Sequence, residues 1–205
     1  RAAGIIYCRA KKTCDELAGF LRGRGIMAAP YHRGLKDMEA DLNQKKWINN
    51  DAEDQAGSKV DCIVATIAFG MGIVSLLILL WVVYILLTFN SLQDKGNCSY
   101  VVHYDIPKSF EGFYQETGRA GRDGHAARCL LYYSAEDKQR IQSLVSRSHT
   151  SRVHRREKSG GVMPSQRAPD SITALLRYAE DVSLCRHLAI CELSLRFIVD
   201  TKILM

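Results

Sequence analysis

The sequence predicts an α/β fold, a parallel sheet flanked by helices, and three observations carry that prediction. Short, continuously apolar stretches recur along most of the chain, as strands buried on both faces require. Amphipathic stretches of helical period alternate with them, the arrangement that parallel strands need for their crossovers. Composition agrees: of 205 residues 47% are hydrophobic and 24% charged, ordinary for a domain with a full core.

Gly4 to Cys8 reads as the first strand, followed by a helix with Cys14, Leu17, Ala18 and Leu21 on one face and Gly23 and Gly25 placed to stop it. Ile26 to Ala29 is a second strand ending at Pro30, and Lys36 to Asn49 a polar helix whose Met38 and Leu42 share a face. Val60 to Ala65, Tyr100 to Tyr104 and Arg128 to Tyr133 supply three more strands. Helices are expected at Ser109 to Gly118 and from Ala135 to Val145, the latter opened by Ser134-x-x-Asp137, which has capping-box spacing. Phe110 and Phe113 are assigned to the core, as are Phe69 and Met71.

After Ser148 the composition turns to Ser, Arg, His and Gly. A basic, flexible linker is expected over 149–170, and a partial helical module with an atypical tail over 171–205. Between Arg147 and Arg167 six Lys or Arg stand against Glu157 alone, which suits either a polyanion partner or a tether. The formal net charge is +6, and the seven cysteines are odd in number and scattered through apolar runs, as reduced intracellular thiols would be. The first residue is Arg1 rather than Met, and the chain reads as a piece of something longer.

The most informative run is Gln115-Glu116-Thr117-Gly118-Arg119-Ala120-Gly121-Arg122-Asp123-Gly124. Arg119 and Arg122, three residues apart, would share one face of a short helix or turn, and the glycines beside them leave room for a close approach. Such a pair is suited to phosphate. In parallel sheets ligands gather at the carboxyl ends of strands, and four further loops fall there. These are Cys8-Arg9, Tyr31-His32-Arg33-Gly34-Leu35, Thr66-Ile67-Ala68-Phe69-Gly70-Met71-Gly72-Ile73, and Asp105-Ile106-Pro107-Lys108-Ser109. All four are expected to share one rim with the arginine pair.

These motifs, in this order over residues 3 to 148, resemble the second RecA-like lobe of RecQ-family ATP-dependent DNA helicases. The resemblance implies a role in 3′ to 5′ unwinding during DNA repair and recombination, hydrolase and isomerase chemistry, and a nuclear location. It implies that Arg122 is an arginine finger, Arg119 its companion and Gln115 the polar opener of the catalytic motif. Gly72 and Asp94 would touch the nucleotide, whereas Thr66, His32, Arg33 and Arg9 would touch the DNA backbone. His32 also has a structural reading, as a hydrogen-bonded imidazole, and Gln115 as a brace of the turn. The partners implied are DNA and a first RecA-like lobe, which would hold most of the ATP and Mg2+.

Three departures stand out against the family pattern. Residues 74–93 interrupt the motif between Ile73 and Asp94, and Leu76 to Leu87 is unbroken apolar sequence. A spanning helix wants about 17 to 25 such residues, so no membrane is expected, with a membrane-associated product through 76–87 as an alternative. A retained intron of twenty codons is a second explanation of 74–93. The zinc module that follows this lobe in the family is represented by Cys185 as a lone remnant ligand, with Ala179 at the first ligand position, so zinc is not expected. No phosphate-binding loop or Asp-Glu-x-His box is present, so the chain alone is expected not to hydrolyse ATP, a non-catalytic nucleic-acid-binding fragment being the alternative.

Overall fold

The computed structural model describes residues 2–50, 59–66, 98–159, 167–183 and 185–192. Five parallel strands form one sheet: β1 (Ala3–Tyr7), β2 (Ala28–Tyr31), β3 (Cys62–Ala65), β4 (Cys98–His103) and β5 (Arg128–Leu131), in the order β2-β3-β1-β4-β5. The helices are α1 (Lys11–Gly23), α2 (Asp37–Ile48), α3 (Phe110–Thr117), α4 (Ala135–Ser159) and α5 (Arg167–Glu180), with a further helical segment over 186–192. The predicted class and strand set hold. Residues 67–97 lie outside the described part, and with them Gly72, Asp94, the 74–93 interruption and two of the predicted core residues, Phe69 and Met71.

The chain divides into two units, the first comprising 1–105 with 115–132 and the second 106–114 with 133–205. In the first unit alternation along β1 sends side chains to two faces, and each face has its own cover. Ala3, Ile5 and Tyr7 gather with Ala29, Ile63, Val101 and Trp47 of α2, while Cys8, Ala28, Cys62 and Val64 gather with Cys14 and Ala18 of α1. Trp47 fastens its side by donating its indole N–H to the Gly4 carbonyl at 3.1 Å. On the opposite side the central strands approach closely: a Cβ at Gly4 would stand 2.0 Å from the Tyr100 ring, so only glycine fits beside that tyrosine.

Local chemistry explains the boundaries. α1 stops where Gly25 takes a positive φ of 83°, its amide and that of Ile26 bonding back to Arg22 and Leu21 carbonyls. Pro30, expected just past the end of β2, lies inside it, paired in register with Val64. β2 is an edge strand hydrogen-bonded only to β3, so a residue without an N–H costs the ladder nothing there. Buried thiols fill small spaces on the α1 side: a hydrogen bond of the Cys8 thiol to Cys14, then burial, pushes Cys8 far up, and burial pushes Cys62 up to about 12.

In the second unit Ser134 caps α4, its Oγ accepting the Asp137 amide at 3.1 Å and donating to the Asp137 carboxylate at 2.8 Å, half of the reciprocal pair that a capping box makes. Ile141 and Val145 are the buried residues of α4, and Ile172, Leu175 and Leu176 the buried apolar residues of α5, with Phe110, Phe113 and Tyr178 in mutual ring contact. Phe110 and Phe113 are buried, as expected of core residues. Ser171 of α5 accepts the Phe110 amide at 2.9 Å and donates to Glu111, capping the first turn of α3. The linker expected over 149–170 is corrected at both described ends, since α4 continues to Ser159 and α5 begins at Arg167. Arg, Lys and Glu are good helix formers, so a charged run without internal proline or glycine extends a helix already nucleated by Ile141 and Val145.

Candidate nucleotide and nucleic-acid site

Residues that follow a parallel strand lie at its exit, and residues that precede one lie at its entrance. Arg9, His32 and Thr66 follow β1, β2 and β3; Arg119 and Arg122 precede β5. The residues expected along one rim therefore divide between the loops that leave the strands and the loop that enters β5. The Gly121 amide donates to the carbonyl of Cys98, the first residue of β4, at 2.9 Å, which anchors the arginine loop at the strand entrances. This follows from the crossover rule: a connection between parallel strands must return to the end where the next strand begins.

At the exits, polar side chains are tied to one another. Register places Tyr7 opposite His103, hence Arg9 opposite Asp105, and the Asp105 carboxylate accepts the Arg9 amide at 2.7 Å and pairs with its guanidinium at 3.4 Å. Asp105 was not singled out in the sequence, although that register would have found it. His32 is 6% exposed; its Nε2 meets Asp15 Oδ1 at 2.9 Å and its Nδ1 accepts the Gly34 amide at 3.1 Å. Both ring nitrogens are occupied, and because Nδ1 accepts, the proton sits on Nε2, facing Asp15. His32 is thus a hydrogen-bonded imidazole, while Arg33 beside it is exposed and has no partner among the described residues. Thr66 is half-buried, its amide donating to the Tyr31 carbonyl at 3.2 Å.

At the entrances, α3 ends at Thr117 and the loop turns twice on glycine. Gly121 and Gly124 have φ of 69° and 79°, and a Cβ at Gly121 would meet the His125 carbonyl at 3.1 Å, so a side chain there is opposed by both backbone and space. The two arginines that sequence spacing placed on one face differ in burial. Arg122 is exposed, its Nε donating to the Gly118 carbonyl at 3.1 Å. Arg119 is half-buried beside Tyr7: burial raises the Tyr7 hydroxyl and the Arg119 charge opposes that rise. Gln115 is exposed in the last turns of α3.

A buried network underlies this loop and was missed in the sequence. His103, fully buried, meets Glu116 Oε2 at 2.8 Å and stacks on Tyr7 with ring centroids 5.5 Å apart. Glu116 is itself 7% exposed. Its place inside the arginine motif was visible, but nothing local distinguishes a buried glutamate from a solvated one.

An exposed guanidinium on a tight glycine turn, with the neighbouring arginine held against the sheet, suits a phosphoryl group arriving from outside the loop. Metal is a different matter. Among the described residues no group of three or more His, Cys, Asp or Glu is gathered to hold an ion. Cys185 is exposed, and the backbone N–H groups of Leu188 and His187 hold its thiol below the ordinary range. Among the described residues no helix is long and apolar enough to cross a membrane.

No protein-family model matches the chain. Curated relatives do. RecQ-like DNA helicase BLM of Xenopus laevis is 39% identical over 188 residues, covering 91% of this chain and 11% of that protein. ATP-dependent DNA helicase Q5 of Rattus norvegicus is 37% identical over 190 residues, 92% of this chain and 16% of that one. ATP-dependent helicase SGS1 of Saccharomyces cerevisiae is 31% identical over 184 residues, 90% of this chain and 10% of that one. The chain thus spans about a tenth to a sixth of the length of these relatives. Among solved structures, the Escherichia coli DEAD-box protein SrmB bound to regulator of ribonuclease activity A aligns with a TM-score of 0.47 and 20% identity, over 72% of this chain and 69% of that one. Saccharomyces cerevisiae Dbp5 bound to RNA and ADP BeF3 aligns at 0.48 and 20%, over 71% and 32%.

Proposed function

We propose, from the premise that this chain is a segment of a RecQ-family DNA helicase, that it is the second motor lobe of an ATP-dependent 3′ to 5′ DNA-unwinding enzyme. The observation that carries this reading is the arginine loop: Arg122 exposed on a turn that Gly121 and Gly124 alone can make. ATP with Mg2+ would supply the energy of each cycle through phosphoryl transfer, and a first lobe of the parent enzyme would hold most of it. Within this chain Arg122 would meet the phosphoryl oxygens as an arginine finger, and Arg119 would fix the loop through its place beside Tyr7. Gln115 would report nucleotide to the loop, and Gly72 and Asp94 would line the same nucleotide.

The strand exits are proposed as the DNA track. Arg33 and Thr66 would contact backbone phosphates, while Arg9 would serve through its pairing with Asp105, and His32 through the turn it braces. Phosphate contacts position a strand without reading its sequence, which suits a motor. A nuclear enzyme of DNA repair and recombination fits this reading, and without a first lobe the chain would not turn over ATP.

The test uses the parent enzyme carrying Arg122→Ala. DNA-stimulated ATP turnover is expected to fall by on the order of a thousandfold or more, with DNA affinity changed less than about twofold. Turnover within about threefold of the wild type would overturn the assignment of Arg122.

A further inference from the structure

α4 changes character along its length. Its first half buries Ile141 and Val145, whereas from Ser146 to Ser159 only His149 and Val153 are other than exposed. That second half carries Arg147, Arg152, Arg155, Arg156 and Lys158 against Glu157, a net charge of +4 with its two histidines neutral. At 1.5 Å per residue, fourteen residues make a rod of about 21 Å, the length of about six base pairs of duplex.

A solvated helix commonly alternates its charges so that residues three or four apart attract. Here Arg152 and Arg156 stand four apart, Arg152 and Arg155 three apart, and Arg155 and Lys158 three apart, all repelling. Local pairing offers little relief: His154 meets Glu157 at 3.7 Å, and Arg152 donates to the Ser148 carbonyl. Arg147, Arg155, Arg156 and Lys158 have no acidic partner among the described residues. Complementing the carboxyl end of the helix dipole accounts for Arg156 and Lys158 in the last turn, but the dipole acts within that turn and leaves Arg147, Arg152 and Arg155 unexplained. Arg147, Arg152 and Arg155, held at fixed spacing on a helix with neither core nor, among the described residues, an acidic partner to justify them, make with Arg156 and Lys158 a surface for a polyanion.

We propose that residues 146–159 of α4 form a second nucleic-acid contact, binding the phosphate backbone of duplex DNA without reading sequence and separately from the strand exits. This rests on the reading of the chain as part of a DNA motor. The α4 surface would hold the duplex near the motor while the exits handle the strand being moved, and its contribution would vanish steeply with salt.

The experiment measures binding of a fluorescein-labelled 20-base-pair duplex by fluorescence anisotropy from 50 to 200 mM salt, using the protein as expressed and an Arg152→Ala, Arg155→Ala, Arg156→Ala variant. Alanine is the best helix former, so α4 is retained, and far-ultraviolet circular dichroism verifies it. The variant is expected to bind about tenfold or more weakly at 50 mM, with the slope of log affinity against log salt reduced by roughly 0.9 for each phosphate that the helix no longer neutralises. Replacing the same three residues by lysine should restore the slope. Unchanged affinity and slope, failure of lysine to restore, or equal competition by polyglutamate at matched charge would each overturn the proposal. Because Arg122 and the strand exits are untouched, a loss confined to this variant is separable from failure of the motor reading, which would show as normal turnover in the Arg122→Ala enzyme.

Discussion

The two ends of the sheet are built on opposite plans. At the strand exits side chains are tied to side chains: Arg9 to Asp105, and His32 to Asp15 and the Gly34 amide. At the entrances the backbone does the fixing, through Gly121 bonded to Cys98 and two glycines at positive φ, and Arg122 is left at the surface. A polar residue in a promising loop can be either brace or tool, and only its partners tell which. Both ends meet in the buried Tyr7, His103 and Glu116 network, where Arg9 follows Tyr7 by two residues and Asp105 follows His103 by two.

The contrast breaks most visibly at the arginines. Arg122→Ala in the parent enzyme should remove turnover and leave thermal stability unchanged, while Arg119→Ala should lower both, because Arg119 is half-buried beside Tyr7. Equal stability of the two variants would erase the distinction between tool and brace. Next comes the network: Glu116→Ala leaves the buried His103 without its carboxylate partner, and an unsatisfied buried group of this kind costs about 2–3 kcal/mol. Chemical denaturation should register that loss, and a change below about 1 kcal/mol would show the network to be dispensable.

At the exits the effects are smaller and separate the residues that sequence grouped together. His32→Ala should cost about 0.5–1.5 kcal/mol of stability, since the Gly34 amide and Asp15 lose a partner but are exposed and can turn to water. Arg33→Ala should leave stability unchanged and instead flatten the salt dependence of DNA binding by roughly 0.7–0.9 of a logarithmic unit per phosphate. The reverse pattern would exchange their roles. Smallest is a chemical check on the ends: iodoacetamide should modify Cys185 first and Cys129 more slowly, because burial raises the Cys129 thiol, and should reach Cys8, Cys14 and Cys62 only on unfolding. Rapid labelling of Cys8 would mean that the exits are open to solvent.

Much of the fold was legible because it depends on short-range patterns. Apolar runs of four to six residues, a capping box at Ser134 and a stop at Gly25 need no knowledge of distant residues. Pro30 inside β2 was not legible, because its tolerance depends on β2 being an edge, which strand order alone decides. The helical stretch 149–159 was hidden behind its charge, which reads equally as linker until its continuity with Ile141 and Val145 is seen.

By itself the sequence determined the class of fold, the family motifs and their order, since these are carried by residue types and by spacings along the chain. It also contained, unused, the fact that Arg9, His32 and Thr66 follow strands while Arg119 and Arg122 precede one. Only the tertiary structure decided which polar residues face solvent and which are consumed by a partner. Arg122 differs from Arg119 not by chemistry but by contact with Tyr7, and His32 is set apart from Arg33 by its contacts with Asp15 and Gly34, all of them fixed by how strands and helices meet. Partnering between residues as distant as Arg9 and Asp105 is a property of register, and register is chosen by the whole sheet at once.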